Sequence, residues 1–207
     1  MKKIGIIGAG ISGLYLANIL NNHSEFDYKI FEKRDGFDVK EGYGIQLSVN
    51  SIKLLNKIGF NKFHKNEKYN PEKINFYSND ISNKICELNI SDFNLKDCKY
   101  TTLKRSSLIS FLKNDLENTI KNNYSISKIN QKHQSIQLIF ENEEIIECDY
   151  LIISDGVFSK CKLLISKNKS KPIYNDTIAI RGSISRENLQ SINEENISLF
   201  LGPDFHY

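Results

Sequence analysis

The feature that most constrains this chain is its opening, where a short apolar strand, Ile4-Gly5-Ile6-Ile7, runs into Gly8-Ala9-Gly10-Ile11-Ser12-Gly13 and then into an apolar helical pattern. The spacing assigns each glycine a task. Gly8 allows a tight strand-to-helix turn, Gly10 lets backbone approach a pyrophosphate, and Gly13 allows close packing of helix on strand. Free N–H groups at the helix start then face the phosphates. Glu32 closes a second apolar strand (Tyr28, Ile30, Phe31) about 20 residues after the last glycine, where a carboxylate accepts hydrogen bonds from ribose hydroxyls. A carboxylate at that point favours an adenosine without a 2′-phosphate. This is a dinucleotide-binding pattern, the bland alternative being a glycine turn with a surface Glu.

Lys2-Lys3 followed by an apolar stretch to Leu20 also has the outline of a signal peptide. Gly5, Gly8, Gly10 and Gly13 would weaken a simple apolar helix, and no small-residue cleavage site precedes Glu25, so the segment is read as folded and retained. At 207 residues, with 40% hydrophobic and 26% charged residues, the chain has ordinary globular composition and room for one good core or two small ones. A formal charge of +3 without a basic, aromatic-interleaved stripe gives no support for nucleic-acid binding. Cys86, Cys98, Cys148 and Cys161 form no CxxC pair, and His23, His64, His133 and His206 lack metal-ligand spacing, so no metal is expected. Free thiols and the absence of any run of about 18 apolar residues lead to the expectation of a cytoplasmic chain with no membrane span.

Beyond Glu32 come Lys33-Arg34 and a stretch punctuated by Gly36, Gly42 and Gly44, read either as backbone lying close to a ligand or as a surface loop. Ser51 to Ile58 has helical spacing that Gly59 ends. From Lys73 the pattern turns strand-like, Ile74 to Tyr77 and Ile85 to Leu88, as though a small antiparallel layer were inserted. A short strand then meets Lys104-Arg105, and a helix opens at Ser106-Ser107 with Leu108, Phe111, Leu112 and Leu116 on one face. Cations at a helix start are unfavourable, which leaves Arg105 either holding an anion or reaching into water. Ser125 to Cys148 reads as a meander around the Asn142-Glu143 turn, feeding Tyr150 to Ile153, a continuous apolar run suited to a strand buried on both faces. At its carboxyl end stand Ser154-Asp155-Gly156, where ligands collect in open α/β sheets. Ser159 to Ile165 and Arg186 to Ile192 are expected to be helical, Thr177 to Ile184 and Ile197 to Leu201 to be strands, and Lys167 to Lys171 to be a solvated loop.

With these pieces in order, the sequence resembles the FAD-dependent monooxygenases of the para-hydroxybenzoate hydroxylase and salicylate hydroxylase type. The resemblance rests on IGAGISGL (Ile7 to Leu14), FEKR (Phe31 to Arg34), EGYGIQLSVN (Glu41 to Asn50), LKRSSLISFL (Leu103 to Leu112) and DYLIISDGVFSKCK (Asp149 to Lys162). It implies an α/β fold: a Rossmann-like FAD-binding fold with a parallel sheet and β-meander, plus part of an antiparallel substrate-domain sheet. On that pattern 1–70 and 99–172 are two segments of the FAD-binding domain, 71–98 the inserted substrate-domain strands, and 173–207 the start of the main substrate-domain segment. The glycine stretch ending at Gly44 would lie beside the flavin, Arg105 would contact the cofactor, and Asp155-Gly156 would serve both FAD and a pyridine nucleotide. Arg181-Gly182 resembles a segment entering the substrate domain. The expected cofactor-binding set is Gly8, Ala9, Gly10, Ile11, Ser12, Gly13, Glu32, Lys33, Arg34, Gly44, Arg105, Asp155 and Gly156.

The chain departs from the pattern at two points. Ile153-Ser154-Asp155-Gly156 stands where the family has Gly-Ala-Asp-Gly, and Lys162 stands for an Arg, keeping the charge but losing the planar fork. A later Gly-Asp motif of the family has no counterpart before Tyr207, which leads to the expectation of an amino-terminal portion of a longer enzyme. The resemblance implies that NADH or NADPH reduces FAD, that molecular oxygen adds to the reduced flavin, and that the flavin hydroperoxide hydroxylates a small aromatic substrate. The cofactor carries that chemistry, so no acid, base or nucleophile is assigned. Two other readings stay open: another flavoprotein oxidoreductase of the same superfamily, and an FAD-binding fragment without turnover. An NAD-dependent dehydrogenase fits less well, because antiparallel strands interrupt the βαβ succession.

Overall fold

The computed structural model describes residues 1–36, 43–78, 83–166, 172–180, 182, 185, 187, 195–203 and 206. In chain order the elements are β1 (Lys2–Ile7), α1 (Ile11–Leu20), β2 (Phe26–Phe31), β3 (Gly44–Leu47), α2 (Val49–Asn56), β4 (Lys68–Tyr69), β5 (Lys73–Tyr77) and β6 (Lys84–Asn89). They continue with β7 (Thr101–Lys104), α3 (Arg105–Lys113), β8 (Ile120–Lys121), β9 (Ile126–Gln131), β10 (Ile136–Phe140), β11 (Ile145–Cys148), β12 (Tyr150–Ile153), α4 (Lys160–Ile165) and β13 (Ile197–Phe200). The chain divides into two compact units, Met1–Glu41 with Leu108–Ala179, and Gly42–Ser107 with Ile180–Tyr207.

The first unit is built on a parallel sheet of order β12-β1-β2-β8. Burial explains why β1 is central: Ile4, Gly5, Ile6 and Ile7 are all buried, whereas Lys2 and Lys3 emerge at its beginning. On one side α1 buries Gly13, Leu14, Ala17 and Leu20, and the Asn18 amide donates to the carbonyls of Leu14 (2.8 Å) and Leu112 (2.7 Å), tying α1 to the end of α3. On the other side lies the antiparallel meander β11-β10-β9, and Gly5 leaves room for it: a Cβ there would meet Leu138 Cδ1 at 3.1 Å and Cys148 Sγ at 3.3 Å. The core between sheet and meander holds Ile7, Phe31, Ile126, Leu138, Phe140, Cys148 and Cys161. Phe31 and Phe140 lie 4.8 Å apart, with Tyr124 edge-on to Phe140 at 5.0 Å. Such ring pairs add about 0.5–1.5 kcal/mol to their burial.

The second unit carries two small sheets, antiparallel β3-β7-β4 and a mixed β13-β5-β6 in which β13 runs parallel to β5. Tyr77 and Phe200 stack at 5.1 Å across the β5–β13 pair, while Asn75 on the same strand is buried. Glu87 on β6 bridges Lys73 and Lys84, which hold its carboxyl down at about 2. Exposed ion pairs of this kind contribute little to stability.

Three sequence expectations meet the structure differently. Tyr150 to Ile153 forms β12 but is not buried on both faces. It lies at the sheet edge, where Leu151 packs against the core while Tyr150 and Ile152 are 52% and 38% exposed. The helix expected over 51–58 is Val49–Asn56, starting earlier because Ser48 has the extended backbone of an N-cap. Thr177 to Ile184 is irregular over its described part, 177–180 and Gly182, where Ile178 and Ile180 are exposed rather than packed. The expected loop over 167–171, Gly42 and Arg181, and all but Glu187 of the expected helix over 186–192, lie outside the described residues. Among the described residues no helix is long and apolar enough to cross a membrane, and no group of His, Cys, Asp and Glu could hold a metal ion.

Leu138 is fully buried where meander meets sheet. Leu138→Ala is expected to lower unfolding free energy by about 2–5 kcal/mol, checked by urea denaturation.

Candidate nucleotide-binding site

The glycine turn is shaped by the end of β12. Gly8 adopts φ +101°, a conformation that side chains disfavour, and a Cβ there would lie 2.5 Å from the Ser154 carbonyl oxygen. Gly13 is equally constrained, since a Cβ would run into the Gly8 carbonyl oxygen and approach Ser154 Oγ at 2.7 Å. Gly10 differs from both. It is the N-cap of α1 with ordinary extended backbone, and a Cβ would meet nothing within 4 Å. Among the described residues its lack of a side chain answers no contact within the protein. Ile11 and Ser12 form the first turn of α1, which has neither a side-chain cap from Gly10 nor an acidic residue. A helix start of this kind suits an anion.

Glu32 stands at the end of β2 beside the turn. Its Oε2 accepts from the Ala9 N–H at 2.9 Å and its Oε1 from the Arg34 N–H at 3.1 Å. The backbone of Glu32 is held as well, donating to the Lys121 carbonyl at 2.8 Å and accepting from the Tyr124 N–H at 2.9 Å. Asn123, in the left-handed region at φ +63°, donates its N–H to the Arg34 carbonyl and its amide to Asp35 Oδ1. Lys33 and Arg34 are exposed beside this pinned segment.

Asp155 and Gly156 follow Ser154 directly. Asp155 Oδ2 accepts from the Cys161 N–H at 3.1 Å, anchoring α4, while its Oδ1 is buried without a hydrogen-bond partner among the described residues. Gly156 takes φ +84°. An orphaned buried carboxylate oxygen calls for a partner beyond these residues. Cys161 is fully buried against Asp155, and burial, reinforced by that carboxylate, pushes its thiol up to about 12.

Gly8 to Gly13, Glu32 to Arg34 and Asp155-Gly156 thus converge within the first unit. Gly44 and Arg105 form a separate cluster in the second. Gly44 opens β3 opposite Lys104 on β7, and the Arg105 N–H donates to the Tyr43 carbonyl at 3.0 Å. Arg105 is the first residue of α3, half-buried, with no acidic residue in that turn. Sequence reasoning missed the contribution of Ser154, whose Oγ donates to the carbonyls of Ile7 (2.9 Å) and Gly8 (3.0 Å), and that of Asn123. The substitution of Ser for the family's Ala was the visible signal for the first. Nothing in the Asn122-Asn123 pair alone points at Glu32.

Strand, glycine turn, helix and terminal carboxylate define a Rossmann-like nucleotide-binding unit, and residues 6–38 match the NAD(P)-binding Rossmann-like domain family. The chain is also 23% identical to a 3-amino-4-hydroxybenzoate 2-monooxygenase of Streptomyces cremeus, over 99% of this chain and 52% of that protein. An FAD-dependent monooxygenase of Apiospora sacchari is 22% identical over 84% of this chain and 37% of its own length. Among solved structures, Klebsiella pneumoniae HpxO in complex with FAD and uric acid matches with TM-score 0.69 at 16% identity, over 78% of this chain and 41% of that one. CtdE in complex with FAD and substrate matches with TM-score 0.73 at 15% identity, over 84% and 42%. In sequence the chain therefore resembles FAD-dependent monooxygenases, and it shares their fold. It spans about 40–50% of the length of the relatives it matches.

Two measurements check the geometry. Gly13→Ala should lower stability by about 1–3 kcal/mol through overpacking against backbone. Gly10→Ala should stay within about 0.5 kcal/mol of the parent, both read by chemical denaturation. Because an unfolded chain would release the Cys161 proton near its ordinary value of 9 and the fold retains it to about 12, stability should fall as pH rises across that span. Cys161→Ala should flatten that part of the pH profile.

Proposed function

We propose that this chain binds FAD and forms the cofactor-holding part of an NADH- or NADPH-dependent monooxygenase that hydroxylates a small aromatic substrate with molecular oxygen. The observation that carries the reading is Gly10, the one turn glycine whose missing side chain answers no contact inside the protein and leaves space against the start of α1. The relatives support FAD rather than a free pyridine nucleotide as the resident group, and their names support a monooxygenase.

The residues present fit such a group. The turn and first helical residues, Gly8 to Gly13, would receive the pyrophosphate. Glu32 keeps unused lone pairs for ribose hydroxyls beside its two backbone bonds, and a 2′-phosphate would meet its negative charge. Lys33 and Arg34 would flank the adenosine. Asp155 Oδ1, buried without a partner, would accept a hydrogen bond from the cofactor or its pyridine-nucleotide reductant, with Gly156 allowing close approach. Gly44 and Arg105, joined through Tyr43 at the ends of β3 and β7, would face the flavin and supply a cation to an anionic group. FAD, when bound, supplies the redox and oxygen chemistry; these residues bind, orient and exclude water. On this reading 1–70 and 99–172 serve the cofactor, and 71–98 with 173–207 begin the substrate domain. The four free cysteines accord with a reducing compartment, so the cytoplasm is the proposed location.

The test is an absorbance and fluorescence titration of the full chain with FAD, followed by NADH and NADPH under anaerobic conditions. Saturable binding with bleaching supports FAD binding and reduction by the pyridine nucleotide, and hydroxylation is then read by oxygen uptake with small aromatic substrates, while binding without bleaching supports a cofactor-holding chain that does no turnover. No binding by a folded chain would overturn it. Gly10→Val should abolish FAD binding without unfolding, whereas Glu32→Ala and Arg105→Ala should each weaken it by about tenfold.

A further inference from the structure

The peptide unit joining Gly8 and Ala9 is gripped at both ends by side chains. Its carbonyl accepts from Ser154 Oγ at 3.0 Å, and its N–H donates to Glu32 Oε2 at 2.9 Å. A trans peptide directs these two groups oppositely, so the two bonds together fix the plane of the unit. The same Ser154 hydroxyl shares its proton with the Ile7 carbonyl at 2.9 Å, and the Ser154 N–H donates to that carbonyl at 2.8 Å. Ser154 is thereby locked to the end of β1 before it touches the turn.

The grip matters because the residue between strand and helix is a glycine at φ +101°, the residue type least able to hold a peptide plane by its own sterics. If that plane rotates, the Ala9 N–H leaves Glu32, and the carboxylate loses one of the two backbone donors that aim it. We infer that Ser154 is a positioning residue for nucleotide binding, acting on Glu32 through the Gly8–Ala9 peptide. The inference rests on the FAD reading above and adds to it a residue where the resembling family carries Ala and has no hydroxyl to offer.

Ser154→Ala removes only the hydroxyl and leaves the 2.8 Å backbone bond to Ile7 in place, so the chain is expected to fold cooperatively, with only a small drop in its urea midpoint. Its FAD affinity should fall about tenfold, as for loss of a part-buried hydrogen bond that orders a site. In a Glu32→Ala background the same substitution should change affinity by less than about twofold, because the group it positions is gone. A simple structural role would give the same loss in both backgrounds, and that result, or parent-like affinity in Ser154→Ala, would overturn the inference. Hydrogen exchange of the Ala9 amide in the unliganded chain decides it independently: faster exchange confined to the turn supports the grip, and unchanged exchange refutes it. Failure of the FAD reading would show separately, as a parent chain that binds no FAD, and the exchange result would still stand.

Discussion

The first unit depends on the close meeting of the β1–α1 turn with the end of β12. Parallel pairing carries Ile7 beside Ile153, and one residue later the chain must bend sharply without leaving room for a side chain. Gly8 makes the bend, Gly13 lets α1 come down on it, and Ser154 closes it with its hydroxyl. Each element is constrained by the other two, so the turn has little freedom of its own. Such rigidity would serve the proposed pyrophosphate site, because backbone donors held in place need no ordering on binding.

This contact joins residues 146 positions apart in sequence, and the meander is what makes it possible. Strands β9, β10 and β11 cover one face of the parallel sheet with Leu138, Phe140 and Cys148, then deliver the chain to β12 beside β1. Burial of such side chains at about 1.5–3 kcal/mol each offsets the entropy of closing so long a loop. The aromatic group of Phe31, Tyr124 and Phe140 joins the end of β2, and therefore Glu32, to the same core. Packing and the proposed ribose recognition thus fall on residues one position apart.

Much of this was legible in the chain itself. The strand-turn-helix over 4–20, the carboxylate at 32, a helix opening at Ser106-Ser107 and the meander over 125–148 all follow from period, glycine spacing and turn residues, although that helix starts one residue earlier, at Arg105, and ends at Lys113 before reaching Leu116. Short pieces were not: β4 and β8 are two residues each, too short to show any period, yet β8 extends the parallel sheet and holds the backbone of Glu32. The apolar run at 150–153 was read correctly as a strand and wrongly as buried on both faces, since hydrophobicity reports what a strand is able to bury, not what lies next to it.

By itself the sequence determined the nucleotide-binding pattern, because glycine at 8, 10 and 13 and a carboxylate at 32 express local backbone demands that neighbouring residues settle. Only the tertiary structure decided which of these glycines answers a contact within the protein and which has open space. That distinction depends on Ser154, whose carbonyl is brought to Gly8 and whose hydroxyl is brought to Gly13, neither reaching Gly10, by a strand pairing no local pattern encodes. It likewise decided that Glu32 and Ser154 hold opposite ends of one peptide, a relation set by three-dimensional register rather than by spacing along the chain.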